Sequence, residues 1–277
     1  MGLLEGKTAV IIGASEEGNM GQAIARRFHA EGATICVASR RADAAAAFAK
    51  EIGGYSTRCD LTKRGDVFAL ASFAGKKLGR IDIAVNSTGV AVGGDFLEFG
   101  EADLDTMIAL QFKGSFFFLQ AMVGSMLDRG GSIIQITSAV AQPSCTVDSG
   151  YEAYMGTKAG IDHVVRAVAN RYGKNGIRVN SIAAGHTDTP MHHGNFGGGD
   201  IPSWMKAAFV AEYPLGRYGT CDDIAEASVW LARDQCFMTG QVLQVNGGLT
   251  LRRNPLGPDF ERAEREDRER AKSGKPS

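Results

Sequence analysis

The chain lacks the features that mark secreted, membrane or nucleic-acid-binding proteins. Its five cysteines are an odd number without paired metal-ligand spacing, so neither a disulfide framework nor a zinc site is expected. The net charge of -1 argues against nucleic acid or an acidic membrane as the main partner. No apolar run approaches the length of a bilayer span, and the first predicted strand begins too early for a signal peptide. We therefore expect a cytoplasmic globular protein with reduced thiols.

What the chain does have is a regular alternation of short apolar runs with helical patterns. The runs lie near residues 7–12, 33–38, 81–86, 132–137, 177–182 and 241–245. Such alternation is typical of a parallel sheet that helices cover on both faces. Neither an internal repeat nor a linker indicates a second domain. We therefore predict an α/β fold, a single doubly wound domain over residues 1–251 with a charged tail at 252–277.

A glycine-rich turn follows the first apolar run and opens the first helical pattern. It extends from Gly13 to Gly21 and includes Ser15, Asn19 and Met20. Glycines allow the backbone to approach a pyrophosphate, and a helix N-terminus offers unpaired N–H groups and the positive end of its dipole. A simple tight turn has a similar composition, but the second strand follows at the distance that a βαβ unit needs. The segment therefore predicts a Rossmann-type dinucleotide site.

Three residues at the end of the second predicted strand indicate which dinucleotide binds. An acidic side chain there binds the ribose 2′-hydroxyl, whereas this chain has Ser39, Arg40 and Arg41. A guanidinium matches a 2′-phosphate in charge and geometry, and no carboxylate stands among these residues to repel it. Both arginines could instead be solvated loop residues. The preferred interpretation is an NADP(H) site.

Tyr154 and Lys158 restrict the reactions that this chain could catalyse more than any other residues. Residues four apart on a helix share one face, so the ammonium can lie beneath the phenol and hold it partly ionised. A free phenol has a pKa of about 10, and lowering this pKa to near neutrality requires about 3 to 4 kcal/mol. One positive charge supplies that much energy only in a partly dehydrated cleft. Ser138, at the end of a predicted strand, can orient a substrate oxygen and stabilise charge on it. Together the three residues predict a proton donor for a carbonyl.

Several motifs, in their order along the chain, resemble the short-chain dehydrogenase/reductase family from about residue 5 to about residue 250. They are the glycine turn, Asp60 in RCDLT, Asn86–Gly89 (NSTG), Ser138, Tyr154 with Lys158, and Asn180 in IRVNSIAAGHTDTP. The resemblance implies a Rossmann fold, a nicotinamide cofactor, a small-molecule carbonyl or alcohol substrate, and a homotetramer or homodimer.

The resemblance also implies cofactor contacts. These are Asp60 at the adenine end, Asn86 and Gly89 along the cofactor, Lys158 at the nicotinamide ribose and Thr189 at the carboxamide, with Leu61, Tyr154, Gly185 and Thr187 as further cofactor-binding residues. Ordinary structural roles stay open for three of them. Asp60 could cap a helix that starts near Thr62, Asn86 could satisfy a turn, and Thr189 lies in a loop before Pro190.

The chain departs from the family pattern at several positions. Ile12 replaces a threonine, and Asn19 stands for the middle glycine, which asparagine can do because it tolerates the left-handed backbone conformation. Gln111 stands where the family has an asparagine that anchors a water in a proton relay. Its amide is one methylene farther out, so Gln111 either serves the relay or only packs a helix.

Tyr151 leaves a second activity open. It precedes Lys158 by seven residues, the spacing of the family's divergent enoyl-thioester reductase branch, which also has a longer glycine loop. Tyr154 and Ser138 instead match the carbonyl reductases. We therefore predict NADPH-dependent reduction of a ketone or aldehyde, or the reverse oxidation, with enoyl reduction through Tyr151 as the alternative. A non-catalytic NADP(H)-binding sensor or scaffold is the remaining interpretation.

Residues 190–214 interrupt the regular pattern and are interpreted as a lid over the substrate. Trp204, Met205 and Phe209 are expected to give the lid an apolar inner wall, which indicates a fairly hydrophobic substrate. His192 and His193 have no acidic cluster nearby, so no metal is predicted.

The tail from Arg252 carries dense mixed charge without an apolar stripe. That composition indicates disorder or a solvated helix, although the tail could also lie over a neighbouring subunit.

Overall fold

A seven-stranded, entirely parallel sheet forms the centre of the protein, with strand order β3-β2-β1-β4-β5-β6-β7. The computed structural model describes residues 2–142, 150–191 and 201–273. The strands are β1 (Thr8–Ile12), β2 (Thr34–Ser39), β3 (Tyr55–Arg58), β4 (Ile83–Asn86), β5 (Gly131–Ser138), β6 (Ile177–Ala184) and β7 (Val242–Val245). The predicted α/β doubly wound class is confirmed.

Nine α-helices are described around the sheet. They are α1 (Met20–Ala30), α2 (Ala42–Glu51), α3 (Arg64–Leu78), α4 (Glu101–Met107), α5 (Ser115–Met126), α6 (Glu152–Tyr172), α7 (Ser203–Ala211), α8 (Cys221–Ala232) and α9 (Gly257–Ser273). One apolar core, containing Phe28, lies between the sheet and α1, α2 and α8. A second core, containing Phe118, lies on the other face under α3, α5 and α6. Each fully buried phenylalanine side chain contributes about 1.5 to 3 kcal/mol to folding.

The strand register brings the predicted site residues to one edge of the sheet. Ile12 pairs with Asn86 across β1 and β4, and Ser138 pairs with Ala184 across β5 and β6. In a parallel sheet these carboxyl ends open onto a common crevice, which is where ligands bind in open α/β folds.

Helices α4 and α5 form one continuous helix with a π-helical stretch between them, at Ile108–Gly114. The expectation that no segment reaches the length of a bilayer span is wrong for this helix, since Glu101–Met126 is long and apolar enough. Half of its most apolar window is buried inside the protein. The buried side chains, Phe118 among them, belong to the second apolar core, so the helix serves as a core helix.

The charged tail is helical over Gly257–Ser273 and packs on α7 of the same chain. An apolar side chain that the charge pattern concealed, Phe260, makes this contact. Cys145, His192, His193 and Gly197–Gly199 lie outside the described residues. Within the described ranges, no three histidine, cysteine, aspartate or glutamate side chains are grouped as metal ligands.

Candidate active site

Two glycines shape the turn between β1 and α1. Gly13 has a φ of 100°, and a Cβ there would lie 2.9 Å from the backbone of Ser87. A Cβ at Gly21 would lie 2.5 Å from the carbonyl oxygen of Gly13. A larger residue at either place would collide with this backbone and distort the turn.

Asn19 does not adopt the left-handed backbone conformation expected for a residue in place of the middle glycine. Its φ is -87°, so it is not left-handed, and Gly18 adopts that conformation instead with a φ of 76°. The Asn19 side chain accepts a 2.9 Å hydrogen bond from the backbone N–H of Gln22 and donates one of 2.9 Å to the Gly13 carbonyl. Asn19 therefore caps α1 and ties the turn to the helix.

A groove of about 610 Å³ runs from this turn along the edge of the sheet. Its walls include Gly13, Ser15, Asn19, Met20, Ser39, Arg40, Arg41, Leu61, Gly89 and Thr189. Sequence-predicted residues from five separate strand ends thus meet in one depression.

Arg41 lies over the glycine turn. Its guanidinium donates a 3.1 Å hydrogen bond to the carbonyl oxygen of Ser15 and lies 3.6 Å from the carboxylate of Glu16. The Ser39 hydroxyl donates a 2.7 Å bond to the Arg41 carbonyl, which fixes the start of the loop. Arg40 is exposed. The sequence pattern did not reveal Glu16, whose carboxylate comes close to Arg41 only through folding.

Asp60 is engaged by its own loop. Its carboxylate accepts hydrogen bonds of 3.1 Å and 2.7 Å from the backbone N–H and the hydroxyl of Thr62. Burial opposes ionisation, but these bonds hold the pKa of Asp60 below its ordinary value. Helix α3 begins only at Arg64, so Asp60 forms a turn rather than a helix cap. The adjacent Leu61 is buried and lines the groove.

Asn86 joins three elements at the end of β4. Its amide nitrogen donates to the hydroxyl of Ser115 at 3.0 Å and to the side-chain oxygen of Gln135 at 2.9 Å. Its amide oxygen accepts from the backbone N–H and the hydroxyl of Thr88. The buried amide therefore holds β4, β5 and α5 together and shapes the loop that leads to Gly89.

Ser138, Tyr154 and Lys158 converge where β5 and α6 meet, and all three line a second cavity of about 220 Å³. The Ser138 hydroxyl lies close to the Tyr154 phenol and accepts a 3.4 Å hydrogen bond from the backbone N–H of Val140. The Lys158 Nζ lies 5.7 Å from the centre of the Tyr154 ring and donates a 3.1 Å hydrogen bond to the Ile136 carbonyl. The predicted constellation is therefore assembled in space.

The electrostatics of this cluster differ from the expectation that Lys158 holds the phenol partly ionised. Burial raises the pKa of Tyr154 above its ordinary value, although the hydrogen bond from Ser138 opposes the rise. Burial also lowers the pKa of Lys158 to about 8. Burial has this effect because the lysine is only 5% exposed, so its charge is largely removed from water.

Gln111 projects from the π-helical stretch into the space beside Lys158. Its amide nitrogen donates to the Thr157 hydroxyl at 3.1 Å, while its amide oxygen is buried without a hydrogen-bond partner among the described residues. That oxygen and the Lys158 Nζ lie 3.7 Å and 3.6 Å from the place where a Cβ on Gly89 would be. A buried acceptor without a partner, in the same space as a buried ammonium, is suited to holding a water.

The second cavity has a mostly apolar lining with a few polar groups. Tyr151 and Phe209 contribute to it, whereas Trp204 and Met205 do not, so the expected inner wall is correct only for Phe209. Trp204 instead packs on Phe260. The direction of a helical side chain depends on what covers each face of the helix, which the sequence of α7 alone did not reveal.

His186 is a cavity residue that sequence reasoning missed. Its ring lies 4.2 Å from that of Phe209, and its Nδ1 is 2.9 Å from the Tyr213 hydroxyl. Its position directly after Gly185, in the loop behind β6, was the available signal. Gly185 has no room for a side chain, since a Cβ would lie 2.8 Å from the same hydroxyl.

Thr187 and Thr189 complete this loop. Both are buried and line the cavity, and the Thr187 hydroxyl donates a 3.1 Å hydrogen bond to the Gly185 carbonyl. Thr189 and Met20 line both the groove and the cavity. The two depressions therefore adjoin at these side chains.

Comparison with known proteins assigns the family. A family model described as enoyl-(acyl carrier protein) reductase matches residues 13–250. Oxidoreductase UcpA of Salmonella typhimurium is 34% identical over 260 residues, which are 91% of this chain and 97% of that protein. The 3-oxoacyl-[acyl-carrier-protein] reductase FabG of Thermotoga maritima is 30% identical over 255 residues, which are 90% of this chain and 99% of that protein.

Solved structures agree with this assignment. A short-chain type dehydrogenase/reductase from Mycobacterium marinum has a TM-score of 0.81 and 29% identity, and the match covers 89% of this chain and 96% of that one. Sequence and fold thus point to the same group of enzymes. The chain belongs to the short-chain dehydrogenase/reductase family of oxidoreductases, whose members bind nicotinamide cofactors.

Proposed function

We propose that this protein reduces the carbonyl group of a fairly hydrophobic ketone or aldehyde with NADPH, or oxidises the corresponding alcohol. The observation that carries the proposal is the convergence of Ser138, Tyr154 and Lys158 at the wall of one cavity, with the Lys158 ammonium beside the phenol. This arrangement presents two hydroxyl groups to one substrate oxygen.

The residues of the groove fit a dinucleotide. Gly13 and Gly21 leave space that a Cβ would fill, and α1 points its N-terminus at the same place. Arg41 beside Ser15 offers a guanidinium to a 2′-phosphate, although Glu16 partly offsets its charge. At the other end of the groove, Lys158 and Thr189 would hold the nicotinamide riboside. A bound nicotinamide supplies or accepts the hydride.

The protein's own residues would manage the proton. In reduction the carbonyl carbon gains the hydride and the carbonyl oxygen gains a proton from the Tyr154 hydroxyl. Ser138 donates a hydrogen bond to that oxygen as negative charge develops on it. The positive charge of Lys158 stabilises the phenolate that remains, and a water held by the buried oxygen of Gln111 returns the proton. Oxidation of an alcohol reverses these steps through the same residues.

Enoyl-thioester reduction through Tyr151 is the second candidate. The description of the matching family model and the position of Tyr151 in the cavity wall support it. The Tyr151 ring, however, packs against Gly93, where a Cβ would lie 2.9 Å from the ring. Because Ser138 and Lys158 both lie beside Tyr154 in the cavity wall, we favour the carbonyl reaction. A sensor or scaffold role would not require these three side chains to converge.

One assay separates these activities. Acetoacetyl and crotonyl thioesters, together with a panel of hydrophobic ketones, are incubated with NADPH or NADH, and cofactor oxidation is followed. We expect carbonyl reduction that Tyr154→Phe abolishes and Tyr151→Phe retains, with NADPH affinity unchanged in both variants. Crotonyl reduction lost only in Tyr151→Phe would establish the enoyl reaction. Tight NADPH binding without any turnover would favour the sensor role.

The surface supports assembly with further copies of the chain. Leu104, Ile108, Phe112 and Phe116 are exposed, and their spacing of four residues places them along one side of the α4–α5 helix. Such an apolar stripe is unusual on a monomer.

We expect a homodimer or homotetramer. We also expect it to lie in the cytoplasm, where the four described cysteines, all free, stay reduced. Phe112→Glu should lower the molar mass measured by light scattering.

A further inference from the structure

The C-terminal helix α9 lies directly against α7, the helix that supplies Phe209 to the substrate cavity. It follows residue 250, the last one that the family model matches. An aromatic cluster of Trp204, Phe209 and Phe260 forms this contact. The Phe260 ring lies 5.3 Å from that of Phe209 and 6.4 Å from that of Trp204, both edge-to-face. These are favourable aromatic geometries.

Polar contacts fix the two helices at both ends. The Ser203 hydroxyl, at the start of α7, donates a 3.1 Å hydrogen bond to Asp267 near the end of α9. Arg252 donates a 3.0 Å bond to the carbonyl oxygen of Ala211, the last residue of α7. Arg253 lies 3.9 Å from Glu212. The helices therefore run antiparallel, and α7 is held along its whole length.

The start of α9 is itself well anchored. The carboxylate of Asp259 is 9% exposed and accepts hydrogen bonds from Arg253 at 2.6 Å and from the backbone N–H of Leu256 at 2.9 Å. The preceding Asn254 is 1% exposed. These contacts set the position of Phe260, one residue later, with little freedom. The tail, despite its charged composition, is therefore an ordered segment that docks on α7.

We propose that Phe260 is a positioning residue that sets the substrate preference of this enzyme by holding Phe209 in the cavity wall. Phe209 contacts Phe260 on one side and the ring of His186, a cavity residue, at 4.2 Å on another. The proposal rests on the carbonyl reduction proposed above. Bulky apolar substrates depend on this wall, whereas small ketones react without touching it.

Kinetics with substrates of increasing size test this role. Phe260→Ala should raise KM for a bulky aryl ketone about fivefold or more. The KM for a small ketone, the kcat and the affinity for NADPH should stay near the wild-type values. Phe260→Leu, which keeps apolar volume, should restore much of the difference. Arg268→Ala, on the exposed side of α9, is the matched control and should behave as wild type.

Hydrogen exchange gives a readout that does not need turnover. In full-length Phe260→Ala, the amides of Ser203–Ala211 should exchange about tenfold faster than in wild type, while those of α1 stay protected. Faster exchange with an unchanged KM for the bulky ketone overturns the specificity role. Unchanged exchange overturns the docking itself. If wild type reduces no carbonyl, the proposed function fails, and the exchange result alone decides whether Phe260 positions α7.

Discussion

The side-chain nitrogen of Gln111 donates a 3.1 Å hydrogen bond to the hydroxyl of Thr157, the residue directly before Lys158. The Thr157 hydroxyl in turn donates a 2.9 Å bond to the carbonyl oxygen of Tyr154. Gln111 is therefore tied to the turn of α6 that carries both the phenol and the ammonium. The π-helical stretch at Ile108–Gly114 contributes, because an extra residue per turn changes where a side chain points.

Replacing Gln111 by Ala should lower kcat about tenfold or more and leave the Kd for NADPH unchanged, because it removes the acceptor that orders the returning proton. Asn should be intermediate, since the shorter side chain cannot bond Thr157 and keep its oxygen in place together. Gln120→Ala, an exposed glutamine on α5, is the control. Steady-state rates and NADPH fluorescence titration measure the two quantities. A wild-type kcat in Gln111→Ala would show that the amide only packs the helix.

Arg41 makes cofactor preference testable by binding alone. Arg41→Ala should weaken NADPH about tenfold and NADH much less, because the lost guanidinium faces only the 2′-phosphate. Glu16→Ala should strengthen NADPH binding, since the carboxylate 3.6 Å from Arg41 then no longer competes for it. Calorimetric titration of both cofactors measures the affinities. Equal losses for NADPH and NADH in Arg41→Ala would contradict the assignment.

Lys158 should make folding stability depend on pH. Burial lowers its pKa from 10.5 to about 8, so the folded protein binds this proton less tightly than the unfolded chain. The stabilising contribution is therefore fully present above pH 10.5 and is lost as pH falls through 8. The free energy of unfolding should rise by up to about 3 kcal/mol across this window, and Lys158→Met should remove the rise.

Urea unfolding at pH 7 and pH 10, compared between wild type, Lys158→Met and Lys76→Met, measures this difference. Lys76 is exposed on α3 and should leave the rise intact. A parallel pH dependence in wild type and Lys158→Met would mean that the lysine is hydrated in solution.

Much of the fold could be predicted because a parallel strand that is buried on both faces has a short, mostly apolar sequence. Strands β1, β4 and β5 have such sequences. The meeting of Ser138, Tyr154 and Lys158 was predictable for a related reason. The first residue ends a strand, the other two share a helix face, and parallel topology brings that helix back to the strand end.

The sequence was a poorer guide wherever tertiary contacts decide. Asn19 tolerates a left-handed backbone, yet Gly18 takes it and leaves Asn19 to cap α1. The sequence of α7 does not show which of its faces meets α9, and in the structure Trp204 packs on Phe260 and not on the cavity. Glu16 reaches Arg41 across a turn and a strand. None of these contacts has a local periodicity from which it could be inferred.

Asp162 should govern the pH at which the enzyme loses activity. Its carboxyl is 2% exposed, lies one turn after Lys158 on α6, and sits near the hydroxyls of Thr137 and Ser181. Burial raises the pKa of Asp162, and its charge opposes the lowering of the pKa of Lys158. In wild type, kcat/KM for carbonyl reduction should fall as pH rises above about 8, where Lys158 loses its proton. Asp162→Asn removes the opposing charge, so this fall in kcat/KM should begin about one pH unit lower, since a nearby charge shifts the pKa of a buried lysine by that order.

Glu152→Gln, at the exposed start of α6, is the control and should leave the pH profile unchanged. Profiles of kcat/KM from pH 5 to 10 for the three proteins measure this shift. If kcat/KM falls at the same pH in Asp162→Asn and in wild type, Asp162 does not influence the pKa of Lys158.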